Sequence, residues 1–216
     1  MVCFTLMRAV FYISSWNVID PSLLNALSVF GVGLVYDVTF NLYVSLIFAV
    51  FLFIIPNGIL NSKIFRYITY LFFFGFLYFL YFTFAAEWFF WDEFKTRFNF
   101  IAVDYLVYRR EVTDNIVESY PIPYILSGVF LAALATFWMV KGFLRQSLLS
   151  REGFLRRGMI TLSIIALSFF SYQMVGQSFR DGFVNNYEKE LCSNGHYQFV
   201  GAFRNNILDY KPFYAS

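Results

Sequence analysis

The stretch Phe84–Pro121, FAAEWFFWDEFKTRFNFIAVDYLVYRREVTDNIVESYP, decides how the rest of the chain reads. It holds seven acids (Glu87, Asp92, Glu93, Asp104, Glu111, Asp114, Glu118) and four bases (Lys95, Arg97, Arg109, Arg110), and uncharged apolar segments lie on both sides. A polar insert of this kind between apolar runs reads as a water-side loop joining two transmembrane helices. Trp88 and Trp91 stand where a belt of interfacial aromatics is expected. Phe94, Phe98, Ile101, Tyr105 and Tyr108 follow at spacings of four, three, four and three. That pattern predicts one amphipathic helix over 94–108, lying in the membrane interface with its aromatic side down.

Outward from this loop, four segments carry no charge: Val38–Ser62, Tyr67–Ala86, Ser119–Val140 and Gly158–Phe179. Each supplies the roughly 20 apolar residues that cross about 30 Å of hydrocarbon, and the predicted crossings are 38–56, 67–86, 121–140 and 158–179. Pro56-Asn57-Gly58 closes the first of them with a strong turn signal. Residues 1–19 are apolar except for Arg8. They read as the tail of a fifth, incomplete helix, with a cleaved signal peptide as the alternative; a basic start and a small-residue cleavage site are both lacking. Residues 20–37 open on Asp20-Pro21, a helix-start pair. They read as an interfacial helix leading into the next span, the alternative being a re-entrant element. The fold class expected is an all-α polytopic bundle of five transmembrane helices, with residues 1–179 as the transmembrane domain and 180–216 as an extracytoplasmic linker. Composition agrees: 59% of residues are hydrophobic, 24% aromatic and only 14% charged. Soluble domains are usually about 25% charged.

Charge sets the expected orientation. Lys63 and Arg66 lie in one short connection, and Lys141, Arg145, Arg151, Arg156 and Arg157 in another. Basic loops stay in the cytoplasm, which puts 87–118 and the tail after Phe179 outside.

Candidate chemistry is sparse. No glycine-rich phosphate loop, Cys/His cluster or nucleophile elbow occurs, so no catalytic residue and no metal ligand is assigned in this chain. The net charge of +2 gives no reason to expect a nucleic-acid partner. Glu87, Asp92 and Glu93 could be taken for paired carboxylates or metal ligands, but solvated charges at a helix end are the preferred reading. A surface for a lipid headgroup or a docked domain is the functional alternative; its candidates are Glu87, Trp88, Trp91, Asp92, Glu93, Arg97, Asn99, Asp104 and Tyr105. Asp37 reads as a helix-boundary acid, with a transport role as the alternative. His196 reads as a surface residue and Cys192 as a free thiol.

Ala86–Pro123 resembles the membrane domain of lipoteichoic acid synthase-like proteins, phosphoglycerol transferases of the sulfatase superfamily. FNFIAVDYLVY (Phe98–Tyr108) and NIVESYPIP (Asn115–Pro123) carry the likeness most specifically. The tail ELCSNGHYQFVGAFRNNILDYKPFY (Glu190–Tyr214) resembles that family's linker, through Asn194-Gly195, Ala202–Asn206, Asp209-Tyr210 and Phe213-Tyr214. The resemblance implies five transmembrane helices in a bacterial inner membrane. It also implies a following extracytoplasmic catalytic domain with a threonine nucleophile and divalent metal, often manganese. The sequence stops about where that domain would begin. The chain is then expected to be the membrane-anchoring half of an enzyme that moves glycerol phosphate from phosphatidylglycerol to an outside acceptor. Expected partners are membrane lipids, phosphatidylglycerol among them, and a sulfatase-like catalytic domain. No cofactor is expected in this chain, and none of the family's catalytic residues is transferred to it. Alone it is expected to be inactive. A non-catalytic membrane interaction protein is the alternative. A small transporter fits less well, because the four uncharged spans lack the ionisable groups that transport uses.

Overall fold

Pro21 and Pro56 bracket the longest uninterrupted helical stretch near the N-terminus. In the computed structural model, which describes residues 1–60, 62–107, 109–149 and 153–205, helix α2 runs Leu23–Ile54 between these prolines. Ser22 sits at its start and accepts the Asn25 N–H at 3.3 Å through Oγ, while Asp20 accepts the Ser22 N–H and hydroxyl. This is side-chain capping of orphan amides, two residues beyond the Asp20-Pro21 start read from sequence. The 20–37 segment and the span that follows it are joined in one continuous helix. Between Leu34 and Ile55 there is neither Pro nor Gly, and Asp37, the one charge at the junction, is paired internally.

The other elements are α1 Val2–Ser14, α3 Asn57–Leu60, α4 Lys63–Phe94, α5 Phe100–Val107, α6 Arg109–Ser119, α7 Ile122–Leu149, α8 Phe154–Met174, α9 Asn186–Leu191 and α10 Gly195–Asn205, with a short 3₁₀ turn at Gln177–Arg180. No strand occurs among the described residues. Four helices, α2, α4, α7 and α8, are long and apolar enough to cross a membrane. Helix α1 has 13 residues, about 20 Å at 1.5 Å per residue.

The chain divides into two compact units. One comprises 38–89 and 116–176, the spanning parts of α2, α4, α7 and α8. Its helices meet through aromatic edges and short polar side chains. Phe74 packs on Phe130 and Phe137 between α4 and α7, where Tyr81 also hydrogen-bonds Thr136 at 2.7 Å. Helix α8 turns a polar stripe toward α2. Arg157 donates to the Leu52 and Ile55 carbonyls, Thr161 to Ala49, Ser168 to Leu42, and Ser171 to the Thr39 hydroxyl. In lipid, where burial of apolar surface gives no drive for helices to associate, such small polar contacts hold helices together. The outer faces are apolar and open: Leu71, Phe72, Met139 and Leu155 are each more than 70% exposed. Faces this large and greasy belong in hydrocarbon rather than water.

The second unit gathers 1–37, 90–115 and the residues from 177 onward. Its apolar centre comprises Phe11, Tyr12, Ile19, Val29, Trp91, Leu191 and Cys192. Trp91 stacks on Phe11 with ring centroids 4.5 Å apart and planes 10° from parallel.

The predicted single helix over 94–108 is interrupted. α4 continues to Phe94, the backbone bends over 95–99, and α5 begins at Phe100. Lys95 takes a left-handed conformation (φ 54°), which ends α4, and Asn99 restarts the helix by accepting the Ile101 N–H at 2.9 Å. The aromatic side chains then fold onto their own unit. Phe90 meets Phe94, Phe98 and Tyr105, and Phe98 meets His196 and Phe199 of α10. Tyr108 and residues 206–216, which include Asp209-Tyr210 and Phe213-Tyr214, lie outside the described residues.

Candidate functional site

Two lone charges in apolar helices organise the second unit. Arg8 on α1 and Asp37 on α2 are 1% and 0% exposed. Charges removed this far from water are tolerable only when each finds a partner. Here the guanidinium and carboxylate meet as a two-pronged fork: Nη1 donates to Oδ2 and Nη2 to Oδ1, both at 2.8 Å. The remaining donors find carbonyls. Nε reaches Leu191 O at 3.1 Å, and Nη2 also reaches Gly33 O at 3.0 Å and Ser193 O at 3.3 Å. Asn194 completes the carboxylate, donating from Nδ2 to Asp37 Oδ1 at 2.8 Å. The same side chain accepts the Tyr197 N–H through Oδ1 at 3.0 Å, so it also caps α10. One network therefore joins α1, α2 and the start of α10.

Two more carboxylates fix α9. Glu188 accepts the Asp20 N–H and the Asn25 amide. Glu190 accepts the Arg97 N–H at 2.9 Å and pairs with Arg180 at 2.8 Å. Arg97 in turn lies over the Phe11 ring, 4.9 Å from its centroid. Cys192 is fully buried, and burial pushes its thiol pKa up to about 12, so it stays a neutral S–H. His196 is buried, edge-on to Phe4, and not at the surface as its sequence context suggested.

A cleft of about 440 Å³ opens beside α9. Lys95, Thr96 and Phe94 form one wall; the 3₁₀ turn supplies Arg180 and Asp181; α9 supplies Asn186, Tyr187, Lys189 and Glu190. Among the described residues no group of three or more His, Cys, Asp or Glu side chains is placed to hold a metal ion.

The nine residues singled out from sequence do not form one surface. Glu87 is buried and Trp88 exposed in the spanning unit. In the other unit Trp91 and Arg97 are buried, both against Phe11. Asp92 and Glu93 are exposed, Asp92 pairing with Lys95 at 3.1 Å. Asn99 is the cap of α5, and it also reaches Thr96. Asp104 is half-buried on α5, and Tyr105 packs on Phe90 and Phe94. Arg8, Glu188, Glu190 and Asn194 are not among the nine, and Asp37, which reads in sequence as a helix-boundary acid, is instead paired with Arg8. The available signal was the isolation of Arg8 and Asp37, since an ionisable residue inside an apolar helix implies a partner.

No protein-family model, curated protein or solved structure matches this chain.

Proposed function

We propose that this chain is the membrane part of a lipoteichoic acid synthase-like phosphoglycerol transferase, sited in a bacterial inner membrane. One observation supports this reading most. Two of the segments that resemble the family, Ala86–Pro123 and the tail from Glu190, are far apart in sequence, yet they interlock: Arg97 bonds Glu190, and Phe98 packs on His196 and Phe199. Segments that resemble one family and also contact one another are expected where both serve a single structural task. The task proposed is to seat the linker firmly at the membrane surface, so that a sulfatase-type catalytic domain, on the same chain or a partner, meets phosphatidylglycerol headgroups in a fixed pose. Asp92, Glu93, Asp104 and Tyr105 are the surface candidates for docking. Any metal, manganese included, belongs to the catalytic domain.

Reconstitution tests this. A family catalytic domain fused to this chain in phosphatidylglycerol liposomes should transfer glycerol phosphate at least about tenfold faster than the soluble domain alone, because tethering raises its effective concentration at the substrate. This chain alone should turn over nothing. Equal rates with and without the fusion would reject the reading.

The orientation proposed keeps 56–66 and 141–157 in the cytoplasm, with 87–118 and the tail from 180 outside and residues 1–19 as a fifth crossing. Gathering of 90–115 and the tail into one unit supports a shared side for both. In a Cys3→Ser background, Val184→Cys should react with an impermeant maleimide on intact cells, since Val184 is 97% exposed. Gln146→Cys should react only after the membrane is breached. Labelling in the reverse order would invert the topology.

A further inference from the structure

We propose that the cleft beside α9 binds a phosphoryl anion, held by Lys95, Lys189 and Arg180. The lining is more polar than apolar, with Phe94 and the Tyr187 ring as its hydrocarbon parts. It therefore suits a small charged solute rather than an acyl chain, and its volume lies in the usual range for small-molecule sites, about 300–1,000 Å³. Three cations face two carboxylates there. One of those carboxylates, Glu190, is already engaged by the Arg97 N–H and by Arg180 Nη1. Lys189 makes no ion pair among the described residues, so its ammonium is available to the cleft. Thr96, Asn186 and Tyr187 add neutral donors. A phosphate group needs this mixture of cations and neutral donors around its oxygens.

Lys95 gives the second, independent observation. It occupies the left-handed backbone region just past α4, at φ 54°, and its N–H closes on Trp91 O at 2.8 Å. Glycine is the residue that suits this position, because any Cβ there is strained. Such strain clusters where a side chain is needed for function. The ion pair of Lys95 with Asp92 does not account for it, since both side chains are at least half exposed and such pairs contribute little. A lysine at a position that suits glycine, lining a cleft that also holds Arg180 and Lys189, is accounted for by an anion.

The phosphoryl group could belong to a lipid headgroup or to a free phosphate ester, and the site needs nothing from the transferase reading. The test uses the full chain in two kinds of nanodisc. In zwitterionic lipid, glycerol 1-phosphate is titrated and binding followed by ³¹P NMR line broadening. In discs carrying phosphatidylglycerol, retained anionic lipid is counted by native mass spectrometry. Lys95→Gly and Lys189→Gln should each weaken binding about tenfold, the loss of one charge-assisted contact. Lys95→Gly should at the same time leave the melting temperature unchanged or raised, because it relieves the backbone. That combination separates loss of a ligand contact from loss of fold. Weakening confined to the free ester identifies a soluble ligand, and weakening confined to the lipid identifies a headgroup; either outcome supports the site. Absence of binding in both arms, or binding that neither variant alters, overturns it.

Discussion

Asp37→Ala is expected to destabilise the unit built from 1–37, 90–115 and the tail by about 3–5 kcal/mol, the usual cost of stripping one partner from a buried ion pair. The magnitude follows from what remains. Arg8 would keep its charge in a site with 1% exposure, and three backbone carbonyls do not replace a carboxylate. Asn194 would lose its acceptor as well, loosening the cap of α10. Against a total stability of about 5–15 kcal/mol, that loss should open the unit locally while the spanning helices hold. Hydrogen exchange in nanodiscs measures this: protection of residues 4–12 and 188–200 should collapse, and protection in α7 should not change. Arg8→Met combined with Asp37→Leu should recover most of the loss, because a well-packed apolar pair replaces a buried ion pair at little cost. Full protection in Asp37→Ala would mean that the fork is not what joins α1, α2 and α10.

The sequence carried the spanning helices clearly, because crossing hydrocarbon imposes length and apolarity together and leaves long uncharged runs. Pro56-Asn57-Gly58 placed the end of α2 within two residues. The second unit was much less legible. Periodicity gave Phe94, Phe98, Ile101, Tyr105 and Tyr108 one face of one helix, yet α4 and α5 are separate around a left-handed Lys95. Helical spacing survives a bend when tertiary contacts re-collect the same side chains, and Phe90, Phe98 and His196 do that here. Taken singly, Arg8 is the one charge in an apolar run and Asp37 a boundary acid, while Asn194 carries no local sign of its partner. Their shared role rests on contacts separated by 29 and 157 residues, and no local pattern encodes such distances. Asn194 shows the limit well: it caps α10 and at the same time partners Asp37.

Gly33→Ala should reverse the sign that helix propensity predicts. Replacing a glycine inside a helix by alanine ordinarily stabilises by about 1 kcal/mol. Gly31, two residues earlier on α2, has open space where a Cβ would stand, so Gly31→Ala should show that gain. At Gly33 a Cβ would fall 2.2 Å from Arg8 Cζ and Nε and 2.7 Å from Nη2. A flexible side chain could move aside, but this one is held by Asp37, by Leu191 O and Ser193 O, and by the Gly33 carbonyl itself. Moving it breaks the fork, so Gly33→Ala should cost about 3 kcal/mol, near the top of the range for overpacking, despite adding only one methyl. The penalty should depend on Arg8. In the Arg8→Met, Asp37→Leu background the guanidinium is gone, and Gly33→Ala should become close to neutral. A double-mutant cycle followed by chemical unfolding in micelles reads the coupling directly. If Gly33→Ala stabilises as Gly31→Ala does, or if its cost is the same with and without Arg8, then α1 and α2 do not approach as closely as the buried guanidinium requires.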